Sequence, residues 1–321
     1  MSRSTMKLAT LAAVLVLVFL GTTVNAQAKQ TGKITFYTID EWTKDPNLAP
    51  NFDALVKRFK KDNPGCEVEV ISDPFMTWMQ KYQVMFAAGN APDVDLIGNS
   101  HFPIFANAGN LVDLGSVFGE DYFKDFSAGV TKMYVWQGKH YAVPFTMDTR
   151  VLYYNKDLFK KAGLDPQKPP RTWAELKDYA RKLTMDTNGS GKANVYGFGM
   201  DLALKEFVQQ AIFCASPGNI ITIDSQGNIR PNVDTPEFKA YLQLLKDMVP
   251  YYEPDFATTD NGQVGTLFAK QKVAMITNGP WIFDQNKEMQ GASWIGQGMI
   301  PKMDAKSPEG SFGGGFVEVG F

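Results

Sequence analysis

The sequence holds few of the residues that most often do covalent or metal chemistry. In 321 residues there are two histidines, His101 and His140, and two cysteines, Cys66 and Cys214. That set cannot supply a structural zinc site of the usual ligand spacing or staple a disulfide scaffold. Phosphate-loop, zinc-protease and nucleophile-elbow motifs are missing, and Gly313-Gly314-Gly315 lacks the third glycine of the dinucleotide pattern, so no cofactor is expected. Surplus positive charge is missing too. With 32 Lys+Arg against 34 Asp+Glu the net charge is −2, which leaves nothing to neutralise a phosphate backbone and argues against a nucleic-acid partner.

One long apolar run is present, at the start. Leu8 to Leu20 is apolar apart from Thr10, Arg3 and Lys7 precede it, and Val24-Asn25-Ala26 ends in small residues. A helix over that run would cover about 20 Å, short of the roughly 30 Å hydrocarbon core, so residues 1–26 read as a secretory signal peptide. Cleavage is expected after Ala26, with Ala28 as the alternative, leaving 295 residues and a charge of −4. No cysteine lies at the junction to be acylated, so a free periplasmic protein is expected. Export would permit a bridge between Cys66 and Cys214. Both read instead as small core hydrophobes, Cys66 by alternation with Val68 and Val70 and Cys214 after Ala211-Ile212-Phe213, which predicts two thiols and no bridge.

Periodicity organises the rest. Lys33 to Thr38 alternates as a strand, Phe52, Leu55, Val56 and Phe59 recur at helical spacing up to Pro64-Gly65, Glu67 to Ile71 is a second strand, Met76 to Ala88 a helix and Asp93 to Ile97 a third strand. This β-α-β-α-β order predicts an α/β sheet domain with its ligand at the carboxyl ends of the strands. After Pro144 come a strand at Val151 to Tyr154, a helix at Lys156 to Ala162, and a capping box at Thr172 to Glu175 opening a helix to about Leu183. Thr235-Pro236 starts another helix, with Phe238, Tyr241, Leu242 and Leu245 as its expected buried stripe. A helix over Val264 to Lys270, a strand over Val273 to Thr277 and a Gly279-Pro280 turn into a helix near Trp281 complete the reading.

Aromatic and acidic or amide residues recur together at strand ends and helix starts: Glu41-Trp42, Asn99-Ser100-His101-Phe102, Phe145-Thr146-Met147-Asp148 and Trp281. Sugars offer hydroxyls to carboxylates and amides and C–H faces to flat rings, so the mixture suits a carbohydrate pocket. Asp186, Asn188 and Ser190 stand like the first ligands of a calcium loop, but Gly197 occupies the position of its bidentate glutamate, and a helix-to-strand loop is the favoured reading. A secreted carbohydrate-active enzyme using a carboxylate pair is the alternative function, since sequence spacing says nothing about carboxylate separation.

Tyr141 to Leu164 (YAVPFTMDTRVLYYNKDLFKKAGL), followed by Pro170 to Leu176 (PRTWAEL), resembles the most recognisable stretch of the family 1 extracellular solute-binding proteins, the maltose-binding-protein-like sugar receptors of ABC importers. Ala91 to Val94, Gly109 to Leu114, Phe268 to Met275 and Asn278 to Trp281 match in the same order. The resemblance implies a two-lobed periplasmic-binding-protein-like fold whose hinged α/β lobes close over a ligand in the cleft between them. Lobe 1 would be residues 33–147 with 311–321 returning to it, and lobe 2 residues 148–308. It also implies a sugar ligand, ABC permease transmembrane subunits as partners, a monomer and no catalysis. Carried over by position, the ligand-binding residues would be Glu41, Trp42, Asn99, Ser100, His101, Asp148, Asp201, Trp281 and Gly314. Family members continue past the glycine-rich segment, so the resemblance implies a C-terminally truncated receptor; were Phe321 the natural end, exposed apolar surface and poor stability would be expected.

Overall fold

The computed structural model describes residues 31–98, 101–201, 213–214, 216–225, 228–311 and 313–321. The expected signal peptide, Asn99 and Ser100 lie outside the described residues. The chain forms two compact units, one ending at Met147 and rejoined by Gly314–Phe321, the other Asp148–Gly313.

In the first unit the expected β-α-β-α-β order becomes a five-stranded sheet. Its strands lie in the order Cys66–Asp73, Gly32–Ile39, Val94–Gly98, Phe316–Gly320, Val143–Pro144. The first three are parallel, with Ile34 opposite Val68 and Phe36 opposite Val94. Phe316–Gly320 runs antiparallel to Val94–Gly98, pairing Val317 with Ile97. Strand alternation divides the core. Ile34 and Phe36 pack with Phe52 and Phe59 of the Ala49–Asp62 helix, whereas Tyr37 and Ile39 pack with Trp78 and Tyr82 of the Phe75–Ala87 helix. Each fully buried large apolar side chain contributes about 1.5–3 kcal/mol of transfer free energy.

Two acids are carried into this core. Val94–Gly98 and Phe316–Gly320 are buried along nearly their whole length, so their polar members have no solvent face. Glu318 stands opposite Leu96 and Val143, and burial pushes its carboxyl up to about 8. Asp95 stands opposite Val319 and Tyr37, and burial raises it well above the usual carboxylate range.

The second unit is built on three antiparallel strands in the order Met275–Asn278, Val151–Asn155, Ile295–Gly298. The Trp173–Leu183 helix opens with the expected capping box: Thr172 Oγ1 accepts the Glu175 N–H at 3.2 Å and the Glu175 carboxylate accepts the Thr172 N–H at 3.2 Å. Its Trp173, Leu176, Ala180 and Leu183 join Leu152 and Tyr154 in one core cluster. Tyr153 points the other way, to Val264 and Phe268 of the Asn261–Ala269 helix.

Two expectations are corrected. In the Pro236–Met248 helix the buried residues are Tyr241, Leu244 and Met248, with Phe238 and Leu245 partly buried beside them, while Leu242 is 49% exposed. One residue is about 100° of helix rotation, enough to turn Leu242 off the stripe that Tyr241 defines. Cys66 is buried near Val68 as alternation predicts, but Cys214 is exposed, since the inward-facing residue there is Phe213. No disulfide joins them.

Candidate functional site

Parallel strands present their carboxyl ends along one edge, where open α/β sheets take ligands. In the first unit Glu41 and Trp42 follow Gly32–Ile39, Phe75 follows Cys66–Asp73, and His101 follows Val94–Gly98. Their rings gather around Phe316 of the returning strand. Trp42, Trp78 and Phe75 lie 6.2, 6.2 and 6.4 Å from it edge to face, Trp42 is 5.2 Å from Phe145, and His101 is 6.0 Å from Trp78. Such pairs add about 0.5–1.5 kcal/mol each beyond area burial, which fixes the orientation of half-buried rings. The nearby acids differ in their freedom. Asp40 accepts from Ser72 Oγ at 2.7 Å and pairs with Lys44, and Asp73 accepts from Tyr37 Oη at 2.8 Å and pairs with Lys81. Glu41 is exposed as a residue, but burial raises its carboxyl, which also accepts the Phe75 N–H. Gly314 is buried in the returning segment, and Gly315 beyond it has φ +140°, with a Cβ there overlapping the Thr146 carbonyl oxygen.

In the second unit the expected residues Asp148 and Trp281 are joined by Arg150. Asp148 Oδ1 pairs with the Arg150 guanidinium, which lies 4.7 Å from the centroid of the Trp281 ring. Trp281 Nε1 donates to Asn261 Oδ1 at 2.7 Å, and a Cβ at Gly279 would overlap the six-membered ring. Asn278, fully buried at the end of its strand, donates through Nδ2 to the Asn261 carbonyl at 3.4 Å and accepts the Gly279 N–H at 2.8 Å. Burial raises the Asp148 carboxyl, and Arg150 opposes that shift. Burial pushes Arg150 down to about 10, which leaves it charged at neutral pH. The group thus offers a half-buried indole held at its edge beside a half-buried carboxylate paired with Arg150.

Asp201 is fully buried. Parallel bridges pair Tyr196 with Val273 and Gly199 with Ile276, a register that puts Asp201 level with Asn278. Its neighbour Met200 donates its N–H to Glu253 at 3.4 Å, and burial pushes the Glu253 carboxyl up to about 7. In the calcium-like loop, Asp186 Oδ1 accepts from the backbone of Asn188, Gly189 and Ser190, and Oδ2 accepts from Gly191 at 2.7 Å. Those bonds, Gly191's foremost, hold its carboxyl below the usual range and spend it on the loop's own turns. Among the described residues no cluster of three or more His, Cys, Asp or Glu is placed to hold a metal.

A family model described as bacterial extracellular solute-binding protein matches residues 45–309. The chain belongs to that family. A binding protein of Brucella abortus (strain 2308) is 27% identical over 278 residues, covering 86% of this chain and 65% of that protein. The chain therefore spans a little under two thirds of the length of that curated relative. The sn-glycerol-3-phosphate-binding periplasmic protein UgpB of Salmonella paratyphi A is 35% identical over 158 residues, 46% of this chain and 35% of UgpB. Among solved structures, an ABC transporter solute-binding protein from Thermotoga lettingae TMO bound with alpha-D-tagatose matches with a TM-score of 0.70 at 25% identity, over 90% of this chain and 72% of that one. The two-lobed α/β solute-binding fold expected from the sequence is the fold of these relatives, and the family is one of substrate-binding proteins.

Sequence reasoning missed Phe75 and Asn261 as members of these two groups. Phe75 carried a usable signal, since it follows the second strand directly after Pro74, as Trp42 follows the first. Asn261 carried none beyond its place after the N-cap Asp260.

Proposed function

We propose that the chain is the solute-binding receptor of an ABC importer, exported to the periplasm as a monomer, which takes up a sugar or oligosaccharide and delivers it to the permease subunits. The observation that carries this reading is the Asp148–Arg150–Trp281–Asn261 group: a held indole for a sugar's C–H face beside a carboxylate for its hydroxyls. The aromatic group around Phe316, with Glu41, supports it as the first lobe's contribution. Lobe boundaries are proposed at the unit limits, Met147/Asp148 and Gly313/Gly314. Asn99, Ser100, His101 and Gly314 are retained as ligand contacts; Asp201, being fully buried, is proposed to support Asn278 and the turn into Trp281 rather than to meet solute.

The mechanism is hinge closure, in which a ligand shifts the equilibrium only by its preference for the closed form. A phosphorylated solute such as UgpB's is disfavoured, because the buried cation of the group is already neutralised by Asp148. A thermal-shift screen over neutral mono- and oligosaccharides, with recovery of each sugar afterwards, tests the proposal. Binding at 100 times Kd should add about 2.7 kcal/mol to stability. Intact sugar is the expected product; oligosaccharide fragments would establish the carbohydrate-active enzyme instead, and no stabilisation by any sugar would refute the receptor reading.

A further inference from the structure

One cation is already built into the second unit's candidate site. Arg150 is 4% exposed, its guanidinium meets both the Asp148 carboxylate and the Trp281 ring, and its carbonyl accepts from Ser311 Oγ at 2.6 Å. A carboxylate together with the face of an indole is the combination that recognises organic cations such as quaternary ammonium groups. The ring cannot drift away from that role, because Asn261 holds its Nε1 and Gly279 abuts its six-membered edge. Every part of a cation trap is therefore present, and the chain's own guanidinium is in it.

We infer that Arg150 is a positioning residue and charge filter: it fills the cation position formed by Asp148 and Trp281, orients both groups, and closes the site to cationic solutes such as quaternary amines and polyamines. The inference rests on the solute-receptor reading above and narrows its substrate class to solutes without positive charge. Arginine suits the task better than lysine, since its planar group can stack on a ring and pair with a carboxylate at once.

The test uses the full chain and two cationic probes, choline and methylguanidinium. Removing the side chain in Arg150→Ala should open the trap, so that methylguanidinium raises the melting temperature saturably and choline binds at least about tenfold more tightly than to the wild type. Both responses should vanish in Arg150→Ala/Trp281→Ala. Arg150→Lys keeps a charge in place and should ignore choline as the wild type does. An Arg150→Ala protein that responds no more than the wild type, a double variant that responds like the single one, or Arg150→Lys binding choline like Arg150→Ala would each overturn the inference. If Arg150→Ala does not fold unaided, refolding with methylguanidinium is expected to restore native tryptophan fluorescence, and failure to do so counts against the inference. Sugar titration of the wild type is scored separately: cation responses as expected with no sugar binding would remove the receptor reading while leaving Arg150 as the occupant of a cation site.

Discussion

Gly279→Ala should cost the site its aromatic platform while leaving the fold standing. Gly279 is not in the left-handed region of backbone space, so alanine meets no conformational strain. The obstacle is the ring of Trp281, which a Cβ at this position would overlap. To make room the indole must leave the hydrogen bond to Asn261 and its place beside the Arg150 guanidinium. Overpacking of this kind typically costs about 1–3 kcal/mol of stability, which a unit with two core clusters should survive. Solute affinity should fall about tenfold or more, because each 1.4 kcal/mol of lost contact is a factor of ten. Titration and a melting curve on the same sample separate the two effects. Wild-type affinity in a folded Gly279→Ala protein would mean that Trp281 does not touch solute.

Glu318→Gln should flatten the pH dependence of stability and make the protein more stable at the alkaline end. The Glu318 carboxyl stands opposite Leu96 and Val143 in the first unit's sheet, and burial pushes it up to about 8 from an ordinary value of 4.5. The folded chain therefore holds a proton that the unfolded chain releases. Stability from this group is complete below about pH 4.5, declines as pH rises, and is lost above about 8. At 1.36 kcal/mol per unit the swing is on the order of 5 kcal/mol. Glutamine keeps the shape and cannot ionise, so denaturant unfolding at several pH values from 5 to 9 should show a shallower decline than the wild type. Some slope should remain, since Glu253 and Asp95 are also raised by burial. A variant with the wild-type slope would show that Glu318 is not the group responsible.

What could be read from the sequence divides along the range of the interactions involved. Local patterns were legible: the alternation of Gly32–Ile39 and Cys66–Asp73, the Thr172 capping box, and the Asn278 to Trp281 turn all rest on neighbours in the chain. Asp148 and Trp281 were legible as candidates, first as members of the aromatic and acidic groups at strand ends and helix starts and then through family resemblance. What joins them was not, because Arg150 comes to the indole beside the pairing of Val151–Asn155 with Met275–Asn278, and Asn261 reaches it from the start of the Asn261–Ala269 helix. The same holds for Phe316, which reaches Trp42 and Trp78 only after the chain has left the first unit and returned. Asp95 and Glu318 also escaped notice, since an acid within an apolar strand reads as a solvent-facing residue until both sides of the strand are seen to be covered. Leu242 and Cys214 failed for a smaller reason, a choice between adjacent positions on a helical turn that only packing decides.

We propose that this chain holds a neutral sugar through Asp148 and Trp281. Isothermal titration of the wild type, Asp148→Ala and Trp281→Ala with a sugar that stabilises the wild type tests it most directly. Loss of the carboxylate should cost about 1–3 kcal/mol of binding free energy, and loss of the ring about 0.5–1.5 kcal/mol beyond its buried area. Both variants should melt as folded proteins. Unchanged affinity in both would mean that neither Asp148 nor Trp281 touches the sugar.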